Sequence, residues 1–273
     1  MAPRAPFSSP LAEELAEDVL QRFLRYVRVD TQAAYRVAER PSTEKQLDLS
    51  RLLVAELREL GLADAEINEG HTVFATLPGT AEAPVVGLIA HVDTTPDVVG
   101  ANVSPIVHEA WGGDPIVLPG DPRQVLDPAA LPALAARVGH DVVTSDGTTL
   151  LGADDKAGIA EIMTAVGYLA VNGDEPRAPI RVAFTVDEEV GRGAEDFDLD
   201  AFGADVAYTL DGSDLGELEV ETFSAASVRV TIRGLSVHPG TAKGKLVNAV
   251  KLASELVLSL PQDRLSPETT EDR

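Results

Sequence analysis

Four short stretches hold the residue types from which a metal centre can be assembled: His91-Val92-Asp93, Asp154-Asp155, Glu188-Glu189 and Asp211. Neutral imidazole is the commonest side-chain metal ligand, and it needs a hydrogen-bond partner to fix its tautomer and orientation. Successive even positions along a strand point to the same side, so Asp93 is placed to support His91. Carboxylates crowded together repel one another, and a divalent cation removes that repulsion. Each pair alone reads as a solvated turn; four such groups at comparable positions read as a cation site. The chain has no cysteine, so thiolate ligands and disulfides are excluded and a metal must be held by His, Asp and Glu.

The elements that must present these groups are legible from apolar patterning. The run 85–90 reads as a strand buried on both faces of a parallel sheet, ending in His91. The run 180–186 ends in Asp187-Glu188-Glu189, and 206–210 ends in Asp211-Gly212. Asp154 and Asp155 stand just ahead of a helix whose inward face is Ile159, Ile162, Met163, Val166 and Leu169. In open α/β sheets, ligands bind beyond the carboxyl ends of the strands, so the clusters are expected to converge there.

Around this frame, Ser9-Pro10 reads as the cap and first residue of a helix carrying Leu15, Val19, Phe23 and Val27 on one face. Thr43 to Gln46 reads as a capping box that opens a second amphipathic helix running to Gly61. A short strand is expected over 72–77. Residues 100–146, rich in Gly, Pro and Asp, read as a long excursion with one helix at 132–138. Beyond it, 217–221 and 227–232 alternate as half-exposed antiparallel strands do, and 246–260 reads as a final helix. His238 lies in that later segment and by itself reads as a turn histidine.

Composition narrows the function. At 273 residues there is room for a sizeable core and one or two domains. A net charge of −23 argues against a nucleic-acid surface. No apolar run approaches the ~20 residues of a membrane helix, and residues 1–18 lead into acidic sequence with no apolar signal core, so a cytoplasmic protein is expected. Gly240 to Lys245 is too short for a phosphate loop and is followed by Leu246 where Ser or Thr is needed.

In their order, His91-x-Asp93, Gly152-Ala153-Asp154-Asp155-Lys156, Asp187-Glu188-Glu189-Val190-Gly191, Tyr208-Thr209-Leu210-Asp211-Gly212 and His238-Pro239-Gly240-Thr241 resemble the motifs of the M20 metallopeptidases. The resemblance implies an α/β fold: a mixed, largely parallel sheet with flanking helices, plus the start of a smaller α+β lid and dimerisation domain. Residues 1–218 would be the N-terminal part of the catalytic domain and 219–273 an incomplete lid. It also implies a cytoplasmic aminopeptidase that uses two Zn2+ ions to release the N-terminal residue of tripeptides, with short peptides as substrates and a second copy of the chain as partner. Carried over, His91 and Asp211 would bind one zinc, Glu189 the other, and Asp154 would bridge them. Asp93 would support His91, Glu188 would be the general base, and His238 would reach the partner's site to bind the substrate carbonyl.

The family's last metal-binding histidine lies well downstream, in catalytic sequence that returns after the lid, and Arg273 is reached before it. The second zinc is therefore expected to be short of a ligand in this chain. Other expectations compatible with the motifs are a different M20 dipeptidase or amide deacylase, or a catalytically inactive fragment.

Overall fold

The computed structural model describes residues 3–173, 176–212, 214–220, 228–262 and 265. The chain divides into two compact units, Met1–Ser213 and Asp214–Arg273.

In the first unit, helix α1 (Pro10–Tyr26) begins where the sequence indicates: the Ser9 side chain accepts the Ala12 N–H and Pro10 occupies the first turn. Helix α2 (Gln46–Glu59) has no side-chain cap, which corrects the expected capping box. Thr43 Oγ1 donates to the Gln32 carbonyl at 2.7 Å instead, and Gln46 points inward to another partner. Two strands follow, β1 (Glu66–Ile67) and β2 (Val73–Leu77), and then the strand that ends in His91, β3 (Val86–His91).

The excursion that follows is more structured than its composition suggests. It holds β4 (Ile106–His108), β5 (Ile116–Val117), β6 (Val125–Leu126), a one-turn helix α3 (Pro132–Ala135) and β7 (Val142–Thr144). β4 pairs with β7 and β5 with β6, both antiparallel, and Trp111, Ile116 and Leu118 form a small core of their own. The helix expected to reach residue 138 stops after one turn. Only Leu134 among its side chains is partly buried, against the Trp111 cluster, too little apolar face to extend it.

Helix α4 (Ala153–Val171), strand β8 (Ile180–Thr185), the short helix α5 (Leu199–Phe202) and strand β9 (Val206–Thr209) complete this unit. The main sheet runs β1-β2-β8-β3-β9. β1, β2 and β8 pair antiparallel, whereas β8-β3 and β3-β9 are parallel, so the sheet is mixed and its parallel half carries the acidic strand ends.

Alternation along the strands divides the core. Val73, Ala75, Val182, Phe184 and Ala90 pack with Tyr26, Leu53, Leu57, Ile159, Ile162 and Met163 from the three long helices. Phe74 and Ala183 point the other way, to Phe202 and Phe197, whose rings meet Phe74 at 5.4 and 5.5 Å. β3 is only half buried at Val86, Leu88 and Ile89; Leu88 packs against the helical layer and Ile89 against the second one. Gly87 is required where it stands, since a Cβ would meet the Phe202 ring at 2.7 Å.

In the second unit, α6 (Ala249–Ser259) starts later than the apolar pattern suggests, because the Asn248 side chain caps it by accepting from Val250 N and Lys251 N. Leu235 and Val247 form an isolated antiparallel bridge. Residues 217–220 and 228–232 form no strand, which corrects the two expected antiparallel strands over their described part; residues 221 and 227 lie outside the described residues.

Candidate metal centre

The parallel pairing aligns the strand ends: His91 lies opposite Thr185, and Ile89 opposite Thr209. His91 therefore closes β3 beside the turn that follows β8, with Asp211 two residues beyond β9 and the head of α4 against all three.

His91 is 2% exposed. Its Nδ1 faces the Asp93 backbone carbonyl at 3.1 Å, with the Asp93 carboxylate at 3.4 Å. An N–H at Nδ1 leaves the Nε2 lone pair free for a cation. Nε2 stands 2.8 Å from Asp154 Oδ1, 3.8 Å from Asp211 Oδ2 and 3.9 Å from Glu188 Oε2. His91, Asp154 and Asp211 each bring one ligand atom to within 4.8 Å of the others. Among the described residues no other group of three does so.

The electrostatics fit a cation. Burial disfavours a charged His91, yet hydrogen bonds to Asp154 and Asp93 and the surrounding carboxylates win, raising its pKa to about 11. The His91 contact holds Asp154 below the usual carboxylate range, while burial pushes Asp211 up. The charge of Asp154 adds to the rise of Asp211. A divalent cation would neutralise these crowded charges. Imidazole with two carboxylates is a donor set suited to zinc.

The Glu188–Val190 turn is a single 3-10 turn that follows Asp187 in a left-handed conformation, φ +62°. The Asp93 carboxylate accepts the N–H groups of both Glu188 and Glu189, at 3.0 and 3.1 Å. Asp93 thus supports His91 largely through its carbonyl and spends its carboxylate on the turn that presents the two glutamates. Burial, and then the charge of Asp154, push Glu189 up to about 7, but its carboxylate is not part of the three-ligand group. Glu188 is half exposed at the edge of the cluster. A cleft of about 550 Å³, lined by Ile89, Thr185, Glu188, Phe197, Leu199 and Asp211, opens beside it.

Asp155 turns away from the ligand atoms. It is 3% exposed, and its carboxylate accepts His91 N at 3.0 Å and Gly158 N at 3.2 Å. Burial, reinforced by Asp211 and Asp154, pushes it up to about 8 against the opposing pull of His91. The Asp154–Asp155 peptide is cis. Lys156, pushed down to about 8 by burial, donates to the Val29 carbonyl at 2.7 Å. His238 lies in the second unit, where its Nδ1 accepts Gly240 N at 3.1 Å within the Pro239–Thr241 turn.

Sequence reasoning missed Asp187. Fully buried, it accepts Ser42 N through both carboxylate oxygens, at 2.9 and 2.8 Å, and exchanges two hydrogen bonds with Gln46. The available signal was an acidic residue directly after the buried run 180–186, one position ahead of the glutamates.

The chain resembles known proteins in sequence and in fold. A family model, the M20 peptidase dimerisation domain, matches residues 220–271. The chain is 51% identical over 259 residues to peptidase T of Listeria monocytogenes serotype 4a (strain HCC23), covering 94% of this chain and 63% of that protein. It is 52% identical over 255 residues to peptidase T of Desulfitobacterium hafniense (strain Y51), covering 93% and 62%. The chain thus spans about 63% of the length of the curated relatives it matches. Among solved structures it resembles aminopeptidase PepT from Bacillus cereus ATCC 10987, with TM-score 0.55, 22% identity and coverage of 90% of this chain and 57% of that one. A tripeptidase from Staphylococcus aureus gives TM-score 0.57 at 21% identity, covering 89% and 56%. At such identity the structural likeness concerns the fold.

Proposed function

We propose that this chain carries the metal-binding part of a metallo-aminopeptidase that releases the N-terminal residue of tripeptides. The observation that carries the reading is the convergence of His91 Nε2, Asp154 and Asp211 at the carboxyl ends of parallel strands. The near-half identity to peptidase T supports the substrate class. In this reading residues 1–218 are catalytic, and 219–273 begin a lid through which two copies of a cytoplasmic protein pair.

His91 and Asp211 would hold one zinc ion, Glu189 would serve the other, and Asp154 would bridge both. When bound, such ions lower the pKa of a water and polarise a carbonyl. The chain's own residues do the rest. Asp93 fixes the His91 tautomer through its carbonyl and holds the Glu188-Glu189 turn through its carboxylate. Glu188, beside the cleft, takes the proton of the attacking water and returns it to the departing amine. The cleft receives the peptide, with Ile89, Phe197 and Leu199 offering an apolar wall. His238, contributed to a partner's site, would donate to the substrate carbonyl.

The test is a zinc-loaded enzyme assayed against di-, tri- and tetrapeptides with free and blocked amino termini. Turnover confined to tripeptides with a free amino group is expected. Preference for dipeptides or N-acyl amino acids would replace the reading with a dipeptidase or an amide deacylase.

A further inference from the structure

We infer that Gly158 and Asp155 are positioning residues that set the spacing of His91, Asp154 and Asp211. The inference rests on the metal-centre reading, because it concerns what holds those three ligands at one point. They come from three separate elements: the end of β3, the head of α4 and the segment after β9. The sheet ladder fixes two of these, and Leu210 N extends it by donating to the Ile89 carbonyl at 2.8 Å. Helix α4 lies outside the ladder, so its seat must be set by other contacts.

Its apolar side chains pack it on the core, and two contacts fix its head beside the ligands. The buried Asp155 carboxylate takes His91 N through Oδ2 and Gly158 N through Oδ1, tying the end of β3 to the first turns of α4. Gly158 then rests against the Leu210 carbonyl. A Cβ at this position would overlap both that oxygen and Asp155 Oδ1. The oxygen belongs to backbone held by the ladder, so it cannot swing aside as a flexible side chain would. The helix can close on the Leu210-Asp211 peptide only because residue 158 has no side chain.

Gly167, on the same helix, provides the contrast. A Cβ there would meet the Leu60 side chain at 3.5 Å and the Arg22 guanidinium at 3.7 Å, both ordinary contacts. Any side chain at 158 must lift the head of α4 or displace Leu210, and either movement changes the distance between Asp154 and Asp211. Metal-ligand distances vary by only about ±0.2 Å, so even a modest displacement should weaken zinc binding.

The experiment compares the full 273-residue chain with Gly158→Ala, Asp155→Asn and Gly167→Ala. Zinc affinity is measured by chelator competition, folding by far-UV circular dichroism and melting, and amide hydrogen exchange on the metal-free proteins. Gly158→Ala should retain its secondary structure, weaken zinc binding at least ~10-fold, and speed exchange at the His91 and Leu210 amides. Asp155→Asn presents an amide nitrogen to one of the two N–H donors, and should weaken zinc binding and speed exchange at His91. Gly167→Ala should match the parent in affinity and exchange.

Parent-like zinc affinity and exchange in a folded Gly158→Ala protein would overturn the inference. If that variant does not fold, Asp155→Asn decides: unchanged affinity and His91 exchange would overturn it equally. If the parent itself holds no zinc, the metal reading fails separately, and the metal-free exchange rates alone decide whether this junction exists.

Discussion

Gln46 and Asp187, 141 positions apart, form a buried reciprocal pair: Gln46 Nε2 donates to Asp187 Oδ1 at 2.8 Å, and Asp187 N donates to Gln46 Oε1 at 3.0 Å. The first residue of α2 thereby holds the residue that turns the chain from β8 into Glu188 and Glu189. With Ser42 N also donating to the carboxylate, Asp187 is fixed in its left-handed conformation.

Gln46→Ala should therefore leave a buried carboxylate short of a donor and a backbone N–H without its acceptor. A loss of about 1–3 kcal/mol is expected for a buried polar group left unpaired. Urea denaturation measures it, and an unchanged midpoint would remove the pair from the fold's support. Zinc affinity at His91, Asp154 and Asp211 should persist, because none of these side chains touches Gln46.

Glu188→Gln preserves the shape of the proposed base and removes its capacity to accept a proton. Turnover in the active enzyme should fall at least ~100-fold, the scale of general-base catalysis, while zinc content stays near that of the parent. Steady-state kinetics paired with metal analysis separates the two, and near-normal turnover would assign the base elsewhere.

Zinc uptake should release protons and weaken as pH falls. In the metal-free protein the carboxylates around His91 raise its pKa to about 11, so near neutrality the ring is protonated and must lose a proton before Nε2 can bind a cation. Below that value, each proton displaced should weaken apparent affinity about tenfold per pH unit. Calorimetry in buffers of differing ionisation enthalpy counts the protons; a zinc affinity flat from pH 6 to about 8 would contradict this protonation state. His91→Ala should abolish tight binding.

Tyr26→Phe probes the helical layer away from the metal. The buried Tyr26 hydroxyl donates to Glu56 Oε2 at 2.6 Å, and Arg22 reaches the same oxygen at 3.0 Å. Burial, followed by that carboxylate, raises the Tyr26 pKa, so the group stays a neutral donor across the physiological range. Losing a hydrogen bond to a charged acceptor should cost about 1.5–3 kcal/mol by chemical denaturation, with zinc affinity unchanged.

What was legible in the sequence followed from periodicity and from charge at its breaks. Three apolar runs that stop at His91, Asp187 and Asp211 give both the strands and the end of the sheet where the ligands gather. The opening of α1 was legible because Ser9 and Pro10 act on their own neighbours. Gln46 was misread because its partner lies far off in sequence, and a local capping signal looks the same whether or not the side chain turns inward. Asp93 was read through strand alternation, but β3 stops at His91, and beyond it the backbone carbonyl rather than the carboxylate makes the closer approach to the ring. The β4–β7 and β5–β6 ribbons were hidden because two- and three-residue strands carry too few positions for a period to register.

The contacts that define the centre join residues distant along the chain: 63 positions for His91 with Asp154, 64 for His91 with Asp155, and 95 for Asp93 with Glu188. Loop closure of that span gains nothing until the intervening sheet exists, so no nascent chain that has yet to reach Asp211 can display the ligand set. On the ribosome His91 emerges long before Asp211, and through that interval the nascent polypeptide offers only isolated imidazole and carboxylate groups. Metal capture is thereby postponed to the end of folding. For this protein a bound ion would act as a certificate of completed assembly, and its uptake could be timed against translation to find when the sheet closes.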